Sequence, residues 1–247
     1  MKTPVDVLGV GVHPLTWPEL LALVGDFIQA DLPHTVAYAN VHVINTAAQD
    51  AALRDFLAAV DVCYCDGNGV VLGARLLGRE IPERMTGADW IWSLAEEAAA
   101  KGWRLYWIGG AEGVTEAAAE ALREKHPALQ IATDHGYHAK SGTEDEGVID
   151  RINDFEPHIV LVGMGTPLQE QWVAQVRAEL DAPVVWCLGA TADFISGTVE
   201  RPGPAWLVDN HEWLSRLIAD PRRLWQRYLI GNTTFLARIG RARLRRR

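Results

Sequence analysis

Short apolar runs alternate along the chain with stretches in which apolar residues recur every three or four positions. The runs at residues 5–10, 35–39, 60–65, 104–108, 130–133, 158–162 and 184–188 are predicted strands. They are nearly continuous in apolar residues, as strands buried on both faces are. The helical period predicts helices at 18–30, 44–59, 69–77, 88–101, 113–126, 143–154, 168–180 and 205–220. Strand and helix in alternation predict an α/β fold: a Rossmann-like, doubly wound, mostly parallel sheet with helices on both faces. No repeat or low-complexity linker interrupts the pattern before about residue 205. One catalytic domain is therefore expected over residues 1–204, followed by a helical appendage over 205–247.

Charge separates the two parts. From Arg222 to Arg247 there are nine arginines and no acid. The other 221 residues carry 14 basic and 32 acidic groups, a net of -18 against +9 for the tail. On an ideal helix at about 100° per residue, Leu224, Trp225, Tyr228, Leu229, Phe235, Leu236 and Ile239 fall within roughly 140°. Arg223, Arg227, Arg238, Arg241 and Arg245 fall within a separate arc of roughly 60°. A cationic face beside an apolar one is the pattern of a helix lying on an anionic membrane surface. Gly231 and Asn232 are expected to break that helix in two. A nucleic-acid partner is not expected, because the body is acidic.

Composition changes the picture little. At 49% hydrophobic and 22% charged residues the chain is an ordinary globular one. No apolar run reaches the roughly 18 residues of a membrane span. The start, MKTPVDVLGVGVHP, meets Gly and Pro too early for a signal peptide, so an intracellular protein is expected. Three cysteines without a CxxC pair argue against a disulfide framework or a cysteine zinc site.

In a sheet of this kind the ligand sits beyond the carboxyl ends of the strands. The residues there are Asn40, Asp66-Gly67-Asn68-Gly69, Gly109-Gly110-x-x-Gly113, Asp134-His135-Gly136-Tyr137, Gly163-Met164-Gly165-Thr166-Pro167-Leu168-Gln169-Glu170 and Gly189-Ala190-Thr191-Ala192-Asp193. Gly109-Gly110-x-x-Gly113 ahead of a helix suits a diphosphate, although it is not the GxGxxG of dinucleotide enzymes. Asp134, His135 and His138 form a weak candidate metal set. Asp66 ends a buried apolar strand and points to the crevice, where a carboxylate can act as a general base. The same aspartate can instead cap the helix that follows.

Taken together, Asn40, Asp66-Gly67, Gly78-x-x-x-x-Glu83-Arg84-x-x-Gly87, Tyr106-Trp107-Ile108-Gly109-Gly110-x-x-Gly113-Val114, His135-Gly136-Tyr137, Gly163-Met164-Gly165-x-Pro167-x-Gln169-Glu170, Asp193-Phe194-x-x-Gly197 and Glu212-Trp213-Leu214-x-Arg216-Leu217 resemble the WecG/TagA/CpsF glycosyltransferase family. The resemblance covers about residues 35–235. It implies a metal-independent, inverting transfer from a UDP-sugar to a sugar on undecaprenyl diphosphate, in cell-envelope polysaccharide or teichoic-acid-type synthesis. It implies that Asp66 is the base, that Asn40 orients it or the substrate, and that Gln169 belongs to the active site. Arg84, with Arg216, Arg223 and Arg227 of the appendage, would meet the diphosphate. Gly109, Gly110, Gly136, Tyr137, Gly165 and Asp193 would lie near the nucleotide-sugar. The enzyme would sit peripherally on the cytoplasmic face of the membrane, with no cofactor; assembly into homo-oligomers stays open.

Four positions depart from the family pattern. Tyr38 stands where Thr is usual, Leu168 interrupts a Pro-Lys-Gln-Glu, Gly203 interrupts an Arg-Ala-Pro, and Gln226 replaces a frequent Arg that Arg227 adjoins. Two other readings stay open: an NAD-dependent enzyme acting on nucleotide-sugars, and a non-catalytic nucleotide-binding protein of the envelope.

Overall fold

In a computed structural model of the chain, residues 2–30, 32–199 and 225–245 are described. Six strands form one parallel sheet: β3 (His34–Ala39), β4 (Val62–Cys65), β5 (Arg104–Gly109), β6 (Gln130–Asp134), β7 (Ile159–Gly163) and β8 (Val184–Cys187). Their order is β4-β3-β8-β7-β5-β6. Every residue of β4, β7 and β8 is buried. Alternate side chains point to opposite faces, so both faces are covered, as the apolar runs predict.

The run at 5–10 behaves differently from expectation. It is not a strand of the main sheet but half of an antiparallel hairpin, β1 (Val5–Val7) with β2 (Val10–Val12). Leu8 and Gly9 turn the chain with φ of 59° and 93°, and two positive φ values in a row make a tight turn whose twist matches a hairpin. The Gly9 amide also donates to Asp6 Oδ1 at 2.8 Å. Past the hairpin, the His13 amide donates to the Cys63 carbonyl and His13 Nδ1 accepts from the Cys63 amide. His13 thereby pairs the outward amide and carbonyl of Cys63 on the edge strand β4, which would otherwise be left open.

The helices are α1 (Trp17–Ala30), α2 (Val41–Ala47), α3 (Ala51–Ala59), α4 (Asn68–Leu76), α5 (Gly87–Lys101), α6 (Val114–Lys125), α7 (Thr143–Phe155), α8 (Leu168–Val176), α9 (Thr191–Ile195) and α10 (Gly231–Arg245). The helix expected over 44–59 is two. Asp50 accepts the Leu53 amide and starts α3 afresh, while Asn40 caps α2. The helix expected over 168–180 stops at Val176, where Arg177 folds back to the Leu180 and Ala182 carbonyls.

The expected break at Gly231-Asn232 is absent. A π-helical turn, Gln226–Ile230, runs directly into α10. Nor does the apolar arc of this segment form one face. Phe235 and Ile239 are buried against the body, where α10 packs on α2 and α4. Trp225, Leu229, Ile230, Leu236 and Leu244 stay exposed. Arg238 donates to the Ile44 carbonyl and to Asn45 Oδ1, and Asn45 Nδ2 donates to the Gly231 carbonyl. The helix expected at 205–220 and the boundary at 204 lie outside the described residues.

Candidate active site

The site grows from strand register. Ala39 of β3 pairs with Cys65 of β4, so the next residues, Asn40 and Asp66, leave the sheet side by side. The Asp66 amide donates to the Ala39 carbonyl at 2.9 Å, continuing the ladder one step further. Asn40 Oδ1 accepts the Val43 amide at 3.0 Å as the cap of α2. With its oxygen so committed, the amide nitrogen turns the other way and donates to Asp66 Oδ2 at 3.2 Å. One asparagine both starts a helix and orients a half-buried carboxylate at the carboxyl edge.

Arg84 arrives on the loop between α4 and α5. The Met85 amide donates to the Cys65 carbonyl at 2.8 Å, which ties that loop to the strand end bearing Asp66. The Arg84 guanidinium lies 3.2 Å from Asp89 Oδ2, and its charge acts on the Cys65 thiol.

Between β4-β3 on one side and β5-β6 on the other lie β8 and β7, and at the neighbouring strands β7 and β5 the connections run off in opposite directions, β7 to β8 and β5 to β6. Such switch points hold ligands in open α/β sheets. Their floor is glycine for a steric reason. A Cβ on Gly109 would lie within van der Waals overlap of the Gly163 carbonyl, and one on Gly163 would lie 2.6 Å from the Gly189 carbonyl. Gly110 N donates to Gly163 O and Gly136 N to Gly110 O, which stitches the loops together. Tyr137 projects from this edge, 80% exposed. Gly165, with φ of 80°, turns the chain after β7, and Asp193 lies half-buried in α9 after β8.

The weak metal set dissolves into other partnerships. Asp134 accepts from Tyr106 Oη and pairs with Arg151. His135 Nδ1 accepts the Tyr137 amide. His138 turns inward to Asp145, which also accepts from Trp172 Nε1, while Lys140 donates to the Gly136 carbonyl. Among the described residues no group of three His, Cys, Asp or Glu side chains is placed to hold a metal ion.

Gln169 is fully buried beneath the crevice. Its Oε1 accepts the Gly189 amide, and its Nε2 donates to Glu170 Oε1 at 2.8 Å and to Tyr38 Oη at 3.5 Å. Tyr38 Oη also lies 3.3 Å from Thr166 Oγ1, which donates to Glu170 Oε1. Burial raises the Glu170 carboxyl, whose other oxygen has no protein partner. The Tyr38 phenol is raised by burial first, then by the charges of Glu170 and Asp66.

Arg227, in the π-helical turn, is near enough for its charge to oppose the burial that raises Tyr38 and to add to the burial that lowers His42. His42 was not singled out from the sequence. Burial and then Arg227 lower it to about 4, while a bond to the Thr166 backbone opposes them. Its only sequence signal is its place on the first turn after Asn40. Arg216 and Arg223 lie outside the described residues.

A parallel α/β sheet with an oriented carboxylate, an arginine loop and glycine-floored turns at one switch point is the scaffold of a Rossmann-like enzyme. Over residues 5–247 the chain matches, and belongs to, the glycosyl transferase WecG/TagA/CpsF family, so its chemistry is sugar transfer. Similar proteins include the N-acetylglucosaminyldiphosphoundecaprenol N-acetyl-beta-D-mannosaminyltransferases of Staphylococcus aureus strains NCTC 8325 and MRSA252. Each is 27% identical over 222 residues, which is 89% of this chain and 86% of the relative.

Proposed function

We propose that the protein moves a sugar from a UDP-sugar donor to a sugar carried on undecaprenyl diphosphate, with inversion at the anomeric carbon. The observation that carries this reading is the Asn40–Asp66 pair at the crevice edge. Asp66 takes the proton of an acceptor hydroxyl as that oxygen bonds to the anomeric carbon. The bond from that carbon to the UDP oxygen breaks on the opposite face, and UDP departs with the electron pair. General-base help of this kind contributes about 10²–10⁴-fold. Asn40 holds the carboxylate in line. Arg84 and Arg227, with Arg216 and Arg223, meet the charge that develops on the diphosphate, the role a metal ion plays in other transferases. Gly109, Gly110, Gly136, Tyr137, Gly165 and Asp193 are the nucleotide-sugar side of the crevice. Gln169 acts from below, holding Tyr38 and the Gly189 turn.

The acceptor is a lipid, and the chain meets it at the membrane surface. Among the described residues no helix is long and apolar enough to cross a membrane. Trp225, Leu229, Ile230, Leu236 and Leu244 are exposed along the same helical segment that carries the exposed Arg241, Arg243 and Arg245. Apolar side chains flanked by cations suit the boundary of an anionic leaflet, where each Lys or Arg contributes about 1 kcal/mol.

The decisive experiment assays the purified protein against a panel of UDP-sugars and short-chain lipid-diphosphate acceptors carrying different first sugars. Transfer with release of UDP supports the reading and names both sugars. Transfer from none of the donors to any acceptor, by protein that binds UDP, overturns it. Sedimentation with vesicles of anionic and neutral lipid, at low and high salt, tests the membrane part.

A further inference from the structure

We propose that Glu83 is a positioning residue for Arg84. By holding the first turn of α1, it fixes the Arg84 loop, which the Met85–Cys65 bond ties to the strand end bearing Asp66. The proposal rests on the role given above to Arg84.

The loop between α4 and α5 spans ten residues without regular structure. A segment of that length needs ties if it is to present one side chain accurately. Three ties meet at consecutive residues. Glu83 Oε2 accepts the backbone amide of Trp17 at 2.9 Å, across 66 residues of sequence. Arg84 pairs with Asp89, on the first turn of α5. Met85 donates its amide to Cys65, the residue before Asp66. The Glu83 and Arg84 side chains thus reach different helices, Glu83 the start of α1 and Arg84 the first turn of α5, while the backbone between them and β4 is tied at Met85.

The anchor that Glu83 grips is a firm one. The first amides of a helix have no partner within it, and a carboxylate there also meets the positive end of the helix dipole. The acid within α1's own first turn, Glu19, is already committed to the Thr16 amide and hydroxyl and to Lys2. The Trp17 amide is therefore served from another element. The Trp17 ring stacks on Trp90 at 5.1 Å, and Trp90 stacks on Trp186 of β8 at 4.5 Å. Trp90 is the residue after Asp89. The Glu83 tie thus ends at Trp17 and the Arg84 tie beside Trp90, two neighbours in one aromatic stack that joins both helix starts to the sheet.

Turnover of a UDP-sugar with a short-chain acceptor, in Glu83→Ala, Glu83→Gln, Arg84→Ala and the Glu83→Ala/Arg84→Ala double variant, tests this. A misplacement of about an ångström at a charged group can cost about 10²-fold. Glu83→Ala is expected to lose kcat on that scale with the acceptor KM little changed. Glu83→Gln keeps the acceptor oxygen and is expected to recover most of the rate. The double variant is expected to be no slower than Arg84→Ala, because the two residues act through one group. Should Glu83→Ala be insoluble, Glu83→Asp makes the same test with a shorter reach. Wild-type turnover in Glu83→Ala or Glu83→Asp, or losses that multiply in the double variant, overturn the proposal while leaving Arg84 in place. Wild-type turnover in Arg84→Ala removes the reading of Arg84 itself, and the proposal with it.

Discussion

Phe235, on the C-terminal helix, occupies the space that Gly73 leaves open on α4. A Cβ on Gly73 would lie 2.6 Å from the Phe235 Cζ and 3.3 Å from Ile239 Cδ1. A basic tail thus ends in a helix that shares the core of the body. Phe235→Ala removes a fully buried ring, at a cost of about 3–5 kcal/mol. A lowered thermal midpoint and reduced turnover are expected together. The same contact bears on truncation: removing residues 222–247 would uncover the groove over Gly73, so the shortened chain should melt earlier than the full one. Equal midpoints in calorimetry would show that α10 is only an appendage.

Asp66→Asn should lower turnover by roughly 10²–10⁴ while UDP binding stays near wild type. The base acts on the acceptor hydroxyl, away from the nucleotide. Calorimetric UDP titration beside a rate measurement separates the two, and near-normal turnover would remove Asp66 from the chemistry.

Asn40→Asp separates the two tasks of Asn40. The new carboxylate still caps α2, so stability should change little. It replaces the donor to Asp66 by a like charge, at a site where Asn40 now lies 3.2 Å from Asp66. Like charges so close disfavour ionisation, so the pair binds a proton up to higher pH. The acid limb of the rate profile should move to higher pH, which a pH–rate series would detect.

His42 is depressed to about 4 in the folded chain, by burial first and Arg227 second. Its unfolded value is near 6.5. The folded state therefore binds the proton less well than the unfolded state. His42 contributes stability that is present above about pH 6.5 and is lost as pH falls toward about 4. Arg227→Ala should raise the His42 midpoint toward its ordinary value without fully restoring it, because burial remains. NMR titration of the His42 ring reads this directly, and an unchanged midpoint would place Arg227 away from the crevice.

Activity should survive EDTA. The sequence has no DxD pair, and arginines are available for the diphosphate. Loss of turnover on chelation, restored by Mg²⁺ or Mn²⁺, would assign that charge to a metal.

The parallel sheet and the identity of its carboxyl-edge residues were legible in local composition. Val62–Cys65, Ile159–Gly163 and Val184–Cys187 are apolar at every position but the closing Gly163, and local composition of that kind specifies strands buried on both faces. The loops that follow them read as ligand-facing because polar and glycine residues end apolar runs. Pairing across the sheet was not legible. That Asn40 and Asp66 share a hydrogen bond depends on the register of Ala39 with Cys65, 26 residues apart. The hairpin at Val5–Val12 was missed because Leu8, a non-glycine residue, takes the positive φ that a turn usually assigns to Gly, Asn or Asp.

The C-terminal segment shows the same division most clearly. Its periodicity marked a helix, but a hydrophobic arc does not say what it faces, and this one divides between core and solvent. Only the notch at Gly73 decided that Phe235 and Ile239 belong to the core, leaving Leu236 and Leu244 to solvent. Likewise, nothing local marks Glu83 as the partner of Trp17. That contact joins the loop before α5 to the first amide of α1, a pairing that packing of distant elements decides and no short stretch of sequence encodes.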